Sequence, residues 1–285
     1  MICENKASET DNAAEERNGQ RPMMIQCTEK DREMLISCLK EEAVYNTFLL
    51  ADIEDFGFEE EFQTVFAEVE NGECIGVYLC YYRNLLIYCR NNRVNVDFLE
   101  QLFGMFLPDV IMGRPESVRV AQWLLSDYEM ETRGFYVLDG SAGLEQIREY
   151  PERAGVEDAQ EIYQFLRTIP ELKDMYTSEK MIADQIEKAG GTHYVIRRDG
   201  RIAAHGGIAG ESADTVMIGG IATAPEYRDQ HLAGQIVSTL CREILERGKT
   251  PCLFSLRGEA DNLYVTLGFR RIGDWATLTR SGQDI

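Results

Sequence analysis

Residues 216–248 read VMIGGIATAPEYRDQHLAGQIVSTLCREILERG, and the pattern of this stretch decides the fold. Residues 218–222 are apolar and are followed by Pro225, which cannot continue a central strand, so they predict a buried strand that ends there. Apolar residues then recur at spacings of three and four from Leu232 to Leu245, which predicts an amphipathic helix. Gly248 is the expected C-terminal stop of that helix.

The turn between this strand and this helix, residues 228–234, is a candidate anion site. The first backbone N–H groups of a helix have no partner inside the helix, and the helix dipole makes that end positive. Small residues such as Ala233 and Gly234 let a ligand approach the main chain closely. A phosphate-bearing cofactor is therefore expected at this turn.

Two motifs carry a resemblance to a known family. Residues 227–233, YRDQHLA, resemble the acyl-CoA loop of the GNAT superfamily of N-acyltransferases, which follows R/Q-x-x-G-x-G/A. Arg228 fills the first position and Ala233 the last, while His231 stands where the family has its middle glycine. Residues 263–269, LYVTLGF, resemble the LYxxLGF segment near the end of the same domain. The resemblance covers residues 152–279.

The resemblance implies that acetyl-CoA is bound as a co-substrate, with no metal. Main-chain N–H groups around Gln230 are expected to hold the pyrophosphate, and the end of the preceding strand is expected to pair with the pantetheine arm. The residues expected to contact acetyl-CoA are Ile221, Ala222, Thr223, Arg228, Asp229, Gln230, His231, Leu232, Ala233, Gly234 and Asn262.

The implied reaction is direct attack of a primary amine on the thioester, with Tyr264 as the general acid for the departing thiolate. A phenol has a pKa of ~10 and a thiol one of ~8.5, so the site has to tune this proton transfer. The general base is not visible in the sequence. Its candidates near strand ends are Glu211, Asp214, Glu226 and His205. The sequence favours an ordinary surface or sheet position for each of them, and a water chain is the alternative.

Composition limits the partners. The chain has 285 residues and a net charge of −20, of which about −16 lies in residues 1–150. This acidic balance argues against nucleic-acid binding and favours a cationic acceptor, a small-molecule or peptide amine, although a solvated acidic surface also explains it. No apolar run approaches the ~18 residues of a membrane span, and the first residues lack the charged-then-apolar pattern of a signal peptide, so a cytoplasmic protein is expected. The cysteines form no C-x-x-C pair and the three histidines lie far apart, which gives no metal motif.

The chain divides into four predicted segments: a disordered acidic tail over residues 1–22, an α/β domain over 23–140, a linker over 141–150, and a GNAT acetyltransferase domain over 151–285. The expected fold is a mixed α/β sheet with helices on both faces. Helices are predicted at residues 31–41, 43–52, 97–106, 116–125, 156–168, 178–188, 232–247 and 260–267. Strands are predicted at residues 63–70, 74–81, 85–90, 110–112, 135–138, 193–198, 201–208, 215–222, 252–256 and 274–279.

Several alternatives stay open. The first domain repeats the element order of the second, so it is either a degenerate GNAT-like copy that lacks the cofactor loop or an unrelated α/β unit. The chain is a monomer or a homodimer. A non-catalytic CoA-binding or regulatory module is the second functional hypothesis, because His231 departs from the loop pattern. A transferase that takes aminoacyl groups from tRNA is a third, and the acidic charge speaks against it.

Overall fold

The computed structural model describes residues 22–170, 172–173, 175–176, 178–187, 191–255 and 258–281, with the backbone alone for 258–261. The acidic tail predicted for residues 1–22 lies outside the described residues apart from Pro22, as do Lys188 and Leu256 at the ends of two predicted elements. Among the described residues, no helix has the length and apolar character to cross a membrane.

The described residues form one sheet and eight helices. The strands are β1 (Met23–Gln26), β2 (Gln63–Glu70), β3 (Glu73–Tyr81), β4 (Asn84–Cys89), β5 (Val110–Gly113), β6 (Tyr128–Val137), β7 (Glu152–Arg153), β8 (His193–Arg198), β9 (Arg201–Glu211), β10 (Thr215–Thr223), β11 (Thr250–Phe254) and β12 (Arg270–Arg280). The helices are α1 (Arg32–Lys40), α2 (Thr47–Phe56), α3 (Val96–Met105), α4 (Pro115–Leu124), α5 (Ala159–Arg167), α6 (Glu179–Glu187), α7 (Leu232–Glu246) and α8 (Gly258–Thr266).

The two halves of the chain repeat one topology and exchange their last strands. Each half begins with an antiparallel run of three strands, β2–β3–β4 in the first half and β8–β9–β10 in the second. A helix (α3 or α7), a parallel strand (β5 or β11), a second helix (α4 or α8) and a last strand (β6 or β12) then follow in each half. The strand order is β1-β2-β3-β4-β5-β12-β6-β11-β10-β9-β8-β7. The last strand of each half therefore pairs with the parallel strand of the other half, β12 with β5 and β6 with β11. The predicted mixed α/β fold with a tandem arrangement is confirmed.

Helices cover both faces of the sheet. On one face of the C-terminal half, α7 buries Ile236, Val237 and Leu240 against β8, β9 and β10. Burying an aliphatic side chain of this size stabilises the fold by about 1.5–3 kcal/mol. On the opposite face, Phe48 of α2 packs beside Phe135 and Trp275, so strands and helices of both halves share this core. The seven described cysteines are free and buried, as apolar residues would be.

Three predicted elements differ from the structure by four or more residues at one or both ends. The helix predicted at residues 43–52 begins at Thr47, because the preceding residues form turns and the Asn46 side chain donates to the Leu39 carbonyl oxygen at 2.8 Å. The strand predicted at 135–138 runs from Tyr128 to Val137. Its first half carries the charged residues Glu129, Glu131 and Arg133, which line a cavity, so only the continuous apolar run of its second half stands out in the sequence. The strand predicted at 274–279 begins earlier, at Arg270.

Candidate active site

The central feature of the site is a wedge between two parallel strands. Strand β10 pairs with β11 only from Thr215 opposite Thr250 to Met217 opposite Cys252. Strand β10 then continues to Thr223 without β11 beside it. In the N-terminal half, β4 and β5 stay paired along the whole of β5, so the corresponding wedge is closed there.

A bulge in β10 lies at the opening of the wedge. The register of β10 against β9 shifts between Gly219 and Ala222, and Gly220 adopts a φ of 60°, which glycine tolerates best. Its carbonyl oxygen lies 2.7 Å from Nδ1 of His205, and Nε2 of His205 lies 3.0 Å from Nδ1 of His193. A trans peptide points its C=O and the following N–H in opposite directions. The N–H of Ile221 is therefore directed away from the histidines.

The two histidines are neutral at pH 7. Both are buried, and burial is the first cause that lowers the pKa of His205 to about 4 and that of His193 to about 3. Because a carbonyl only accepts, His205 carries its proton on Nδ1, and its Nε2 accepts from Nδ1 of His193. His205 thus holds the backbone of the bulge, which is a different role from the general base considered from the sequence.

The other candidate bases also lie outside the wedge. Glu211 is ion-paired with Arg247 and Lys249, and Asp214 with Lys40. Glu226 is exposed in a short 3-10 turn, Pro225–Tyr227. None of these three carboxylates lines the cavity described below.

The predicted anion loop joins this turn to helix α7. Asp229 and His231 have φ values of 61° and 60°, and His231 therefore takes a left-handed conformation that glycine adopts more readily. A non-glycine residue bears a cost of roughly 1–2 kcal/mol there. The first intrahelical bond runs from the Gln235 N–H to the His231 carbonyl oxygen at 3.1 Å. Within the described part of the chain, the N–H groups of residues 229–234 form no hydrogen bond with the protein.

Glu145, which the sequence placed in a linker, lies against the first turn of α7. Its Oε2 accepts from Nε2 of Gln235 at 2.6 Å, and its Oε1 lies 3.3 Å from Nδ1 of His231. The N–H of Glu145 donates to the Ser238 hydroxyl at 3.0 Å, which fixes the segment along the helix. A Cβ placed on Gly234 would lie 2.5 Å from Oε1, so the carboxylate fills space beside the positive helix end. No local pattern in the sequence could have identified this contact.

The remaining predicted residues lie on α8 and the end of β10. Tyr264 is 4% exposed, with its ring centroid 6.2 Å from that of Tyr136 and 5.9 Å from that of Phe269. Asn262 is exposed on the same helix. Arg228 is exposed, and its Nε lies 3.5 Å from the Thr223 carbonyl oxygen.

A cavity of about 500 Å³ opens on the sheet face opposite α7 and is lined by both halves of the chain. The β10 bulge and Phe254 form one end of its lining, and Asp52 on α2 contributes from the N-terminal half. Tyr264 belongs to the core on the α7 side yet also lines this cavity, so the space continues through the wedge. Burial, followed by the nearby charge of Asp55, raises the pKa of Asp52 to about 8.

No metal cluster is present in the site as far as the structure describes it: no group of three or more His, Cys, Asp or Glu side chains there has a metal-binding arrangement. The space between the unpaired N–H groups, the wedge and the cavity fits an elongated ligand with an anionic end. The Glu145 carboxylate, held against the helix start by Gln235, opposes such an anion.

Comparisons with known proteins agree with this geometry. Residues 156–269 match the model of the Acetyltransferase (GNAT) family. No curated protein sequence matches the chain.

Three solved structures share the fold at low identity. A Drosophila protein is 11% identical with a TM-score of 0.67, covering 91% of this chain and 98% of its own. A putative acetyltransferase from Pyrococcus horikoshii is 9% identical with a TM-score of 0.60, covering 92% and 90%. A tandem GNAT protein from the clavulanic acid biosynthesis pathway is 10% identical with a TM-score of 0.57, covering 93% and 100%. The C-terminal half of this tandem α/β chain therefore contains, at residues 156–269, a domain of the GNAT acetyltransferase family.

Proposed function

We propose that the chain transfers an acetyl group from acetyl-CoA to a primary amine. The observation that carries this proposal is the wedge between β10 and β11, which joins unpaired main-chain N–H groups at the start of α7 to a cavity with acidic walls. A non-catalytic CoA-binding module is the competing function, and it is separated by the experiment below.

The anion loop binds the pyrophosphate of the co-substrate. N–H groups of residues 229–234 donate to the phosphate oxygens, the dipole of α7 favours their charge, and the Arg228 guanidinium adds a further cation. Leu232, Ala233 and Gly234 supply donors of the first helical turn. Exposed His231 and Asn262 border the cofactor on its outer side.

The end of β10 binds the pantetheine arm. Residues 221–223 have no β11 neighbour, so their main-chain groups are available to the arm's amides. The N–H of Ile221, directed away from His205, polarises the thioester carbonyl in the manner of an oxyanion hole. Tyr264 donates a proton to the sulfur as it leaves.

The amine enters through the cavity on the opposite face. Its nitrogen attacks the thioester directly, so the protein gains from holding the two reactants together and needs no covalent intermediate. The described cysteines support this interpretation, because burial raises the pKa of Cys241 and Cys252 and makes them poor nucleophiles.

In this proposal, the N-terminal half lines part of the cavity that receives the acceptor amine, and it binds no cofactor. Its β4–β5 pair is closed, and the N–H of Phe98 at the start of α3 already donates to the Asn95 side chain at 3.0 Å. We also propose a cytoplasmic location, because the reaction needs acetyl-CoA and the cytoplasm supplies it.

The proposal is tested with the full chain, acetyl-CoA and a panel of primary amines. Free CoA thiol is measured over time, and the amine product is identified by mass spectrometry. Amine-dependent thiol release with an acetylated product is expected. Calorimetric binding of acetyl-CoA without turnover on any amine would favour the binding module instead, and no binding would reject both functions.

A further inference from the structure

The cavity wall carries carboxyl groups that pair with no side chain of the described residues. Asp52, Asp55 and Glu129 line the cavity, and the structure shows no hydrogen bond or ion pair to their carboxylates within the described residues. The two cations in the lining are already paired, Arg133 with Glu131 and Arg280 with Asp127. A ligand cation beside Asp52 would therefore stabilise the ionised form of a carboxyl that burial and the neighbouring Asp55 disfavour.

Two buried polar groups in the same wall also lack hydrogen-bond partners within the part of the chain that the structure describes. Nε of Arg133 has no hydrogen-bond partner among the described residues, although the Arg133 side chain is only 10% exposed. The Thr277 hydroxyl, on a residue that is 6% exposed, has none either. A buried N–H donor without an acceptor is costly and rare in native proteins, and a ligand oxygen is the group that would satisfy it. The Glu131 partner of Arg133 is 69% exposed, so this pair contributes little and can open to admit a second anion.

Arg133 lies at the bulge end of the cavity. Its Nη1 is 3.8 Å from the Met175 sulfur. The next residue, Tyr176, places its hydroxyl 2.7 Å from the position of a Cβ built on Gly220. Residues 175–176 thus connect the guanidinium to the bulge where the thioester is proposed to lie.

Asp52 lies at the other end. Its neighbour Ala51 packs on β9 at Gly210, 3.5 Å from a Cβ built there. Gly210 pairs with Met217, three positions before Gly220 along β10. Three residues of a strand span about 10 Å. The Asp52 end and the Arg133 end of the cavity are therefore separated by a distance of this order.

Apolar side chains line the space between these ends. Phe48 and Phe56 contribute from α2, Met112 from β5 and Tyr81 from β3. A volume of about 500 Å³ lies within the usual range for small-molecule sites. The wall therefore suits a molecule with a polar head, an alkyl spacer and a charged tail.

We propose that the acceptor is an amino acid with a cationic side chain, bound with its carboxylate at Arg133 and Thr277 and its tail ammonium at Asp52. This assignment rests on the proposed acetyl transfer and names the substrate class of that site. The α-nitrogen then lies beside the bulge and Tyr264. The α-ammonium first releases one proton to solvent. The neutral nitrogen then forms the new bond to the acetyl carbon, the carbon–sulfur bond breaks, and a second proton moves in net from nitrogen to sulfur, giving an N-acetyl amino acid and CoA.

The charge state of Asp52 supports a role in binding. Burial raises its pKa to about 8, so at pH 7 much of the carboxyl is protonated in the empty cavity. An ammonium group beside it favours the ionised form, and binding of a cationic tail then releases a proton.

The test is isothermal titration of the full chain with three probes. Lysine has the head and the charged tail, norleucine lacks the tail charge, and cadaverine lacks the carboxylate. Lysine is expected to bind roughly 10- to 100-fold more tightly than either of the others, because each of those two probes can form one fewer charge-assisted hydrogen bond with the cavity. Norleucine binding as tightly as lysine would overturn the assignment of the tail, and cadaverine doing so would overturn the assignment of the carboxylate.

Two variants assign the ends of the cavity. Asp52→Asn is expected to remove the preference for lysine over norleucine, and Arg133→Gln the preference for lysine over cadaverine. The matched controls are Glu100→Gln on α3 and Arg119→Gln on α4, which are exposed and remote from the cavity, and they are expected to change neither preference. If Asp52→Asn leaves the preference intact, the tail does not lie where it is proposed. Circular dichroism checks that each variant is folded.

Failure of this assignment is distinguishable from failure of the proposed function. Acetylation of other amines without lysine binding would reject the substrate class and keep the transferase. Lysine binding with the expected variant pattern but no binding of acetyl-CoA would keep the acceptor site and reject the transferase.

Discussion

Oε2 of Glu145 lies 2.6 Å from Nε2 of Gln235, which holds a carboxylate against the first turn of α7. The helix start that is proposed to bind a pyrophosphate therefore already faces one anion of the protein. A carboxylate there is favourable for the empty helix end but repels an incoming phosphate.

We predict that Glu145→Gln binds acetyl-CoA about three- to thirtyfold more tightly, because it removes one negative charge beside the phosphate site and keeps the shape of the side chain. Affinity is measured by titration calorimetry. Glu149→Gln is the matched control, since Glu149 lies in the same segment but pairs with Arg198. Weaker binding by Glu145→Gln would mean that the carboxylate organises the loop for the cofactor.

The His205 hydrogen bond gives a second prediction. His205→Ala removes the donor to the Gly220 carbonyl, so the bulge loses its fixed orientation and kcat is expected to fall by roughly 10- to 100-fold, with a smaller change in the acetyl-CoA KM. His205→Asn keeps an N–H donor near the position of Nδ1 and is expected to recover most of kcat. Equal losses in both variants, with normal circular dichroism, would contradict this positioning role.

Asp52 gives a prediction about stability and pH. Its folded-state pKa of about 8 exceeds its ordinary value of 3.8, so between these values the folded protein binds more protons than the unfolded chain. The free energy of unfolding therefore falls as pH rises through that window. The free energy of unfolding of each protein is measured with urea between about pH 5 and about pH 9. Over this range Asp52→Asn is expected to lose less of it than the original chain, and the difference between the two losses is expected to be on the order of 1–3 kcal/mol. Parallel losses in the two proteins would show that the Asp52 carboxyl titrates normally.

The buried histidines predict the opposite behaviour in acid. Their folded-state pKa values, about 3 for His193 and about 4 for His205, lie below the ordinary 6.5. The unfolded chain binds more protons below about pH 6.5, so stability is lost as the pH falls through that region. A doubly substituted chain, His193→Gln with His205→Asn, is expected to show a shallower loss between about pH 6.5 and about pH 4. An unchanged slope in urea unfolding would contradict the assignment of two neutral histidines.

Tyr264 is expected to act on chemistry and not on binding. Tyr264→Phe keeps the ring that packs on Tyr136 and Phe269 but removes the hydroxyl. We predict a fall in kcat of about 10²- to 10⁴-fold with little change in the acetyl-CoA dissociation constant, since general-acid catalysis contributes on this scale. Unchanged turnover would exclude the general-acid role.

The sequence predicted the parts of the fold that have a local signal. The helix beginning at Leu232 and the strand that Pro225 follows are periodic or bounded by turn residues, and both are present. Asn71-Gly72 joins β2 to β3 and Asp199-Gly200 joins β8 to β9, and Asn-Gly and Asp-Gly are the dipeptides that two-residue hairpin turns favour. Such features depend on residues close in the chain, which is why one sequence suffices for them.

The parts of the site that come from distant segments had no such signal. Arg133 reaches the cavity because β6 crosses into the C-terminal half of the sheet, and strand exchange leaves no periodicity in the sequence. Glu145 belongs to a segment without regular structure whose contacts to α7 span about 90 residues. Asp52 is one acidic residue among many until the fold places it in an apolar wall.

The most direct test of the account is the affinity of acetyl-CoA for Ala233→Trp. Ala233 lies in the first turn of α7, and an indole there would cover the N–H groups that are proposed to hold the pyrophosphate. Glu246→Trp, at the exposed far end of the same helix, is the matched control. Titration calorimetry is expected to show that the control binds like the original chain and that Ala233→Trp binds at least roughly tenfold more weakly, a loss of about 1.4 kcal/mol or more. Equal affinity in all three proteins would place the cofactor elsewhere and contradict the proposed site.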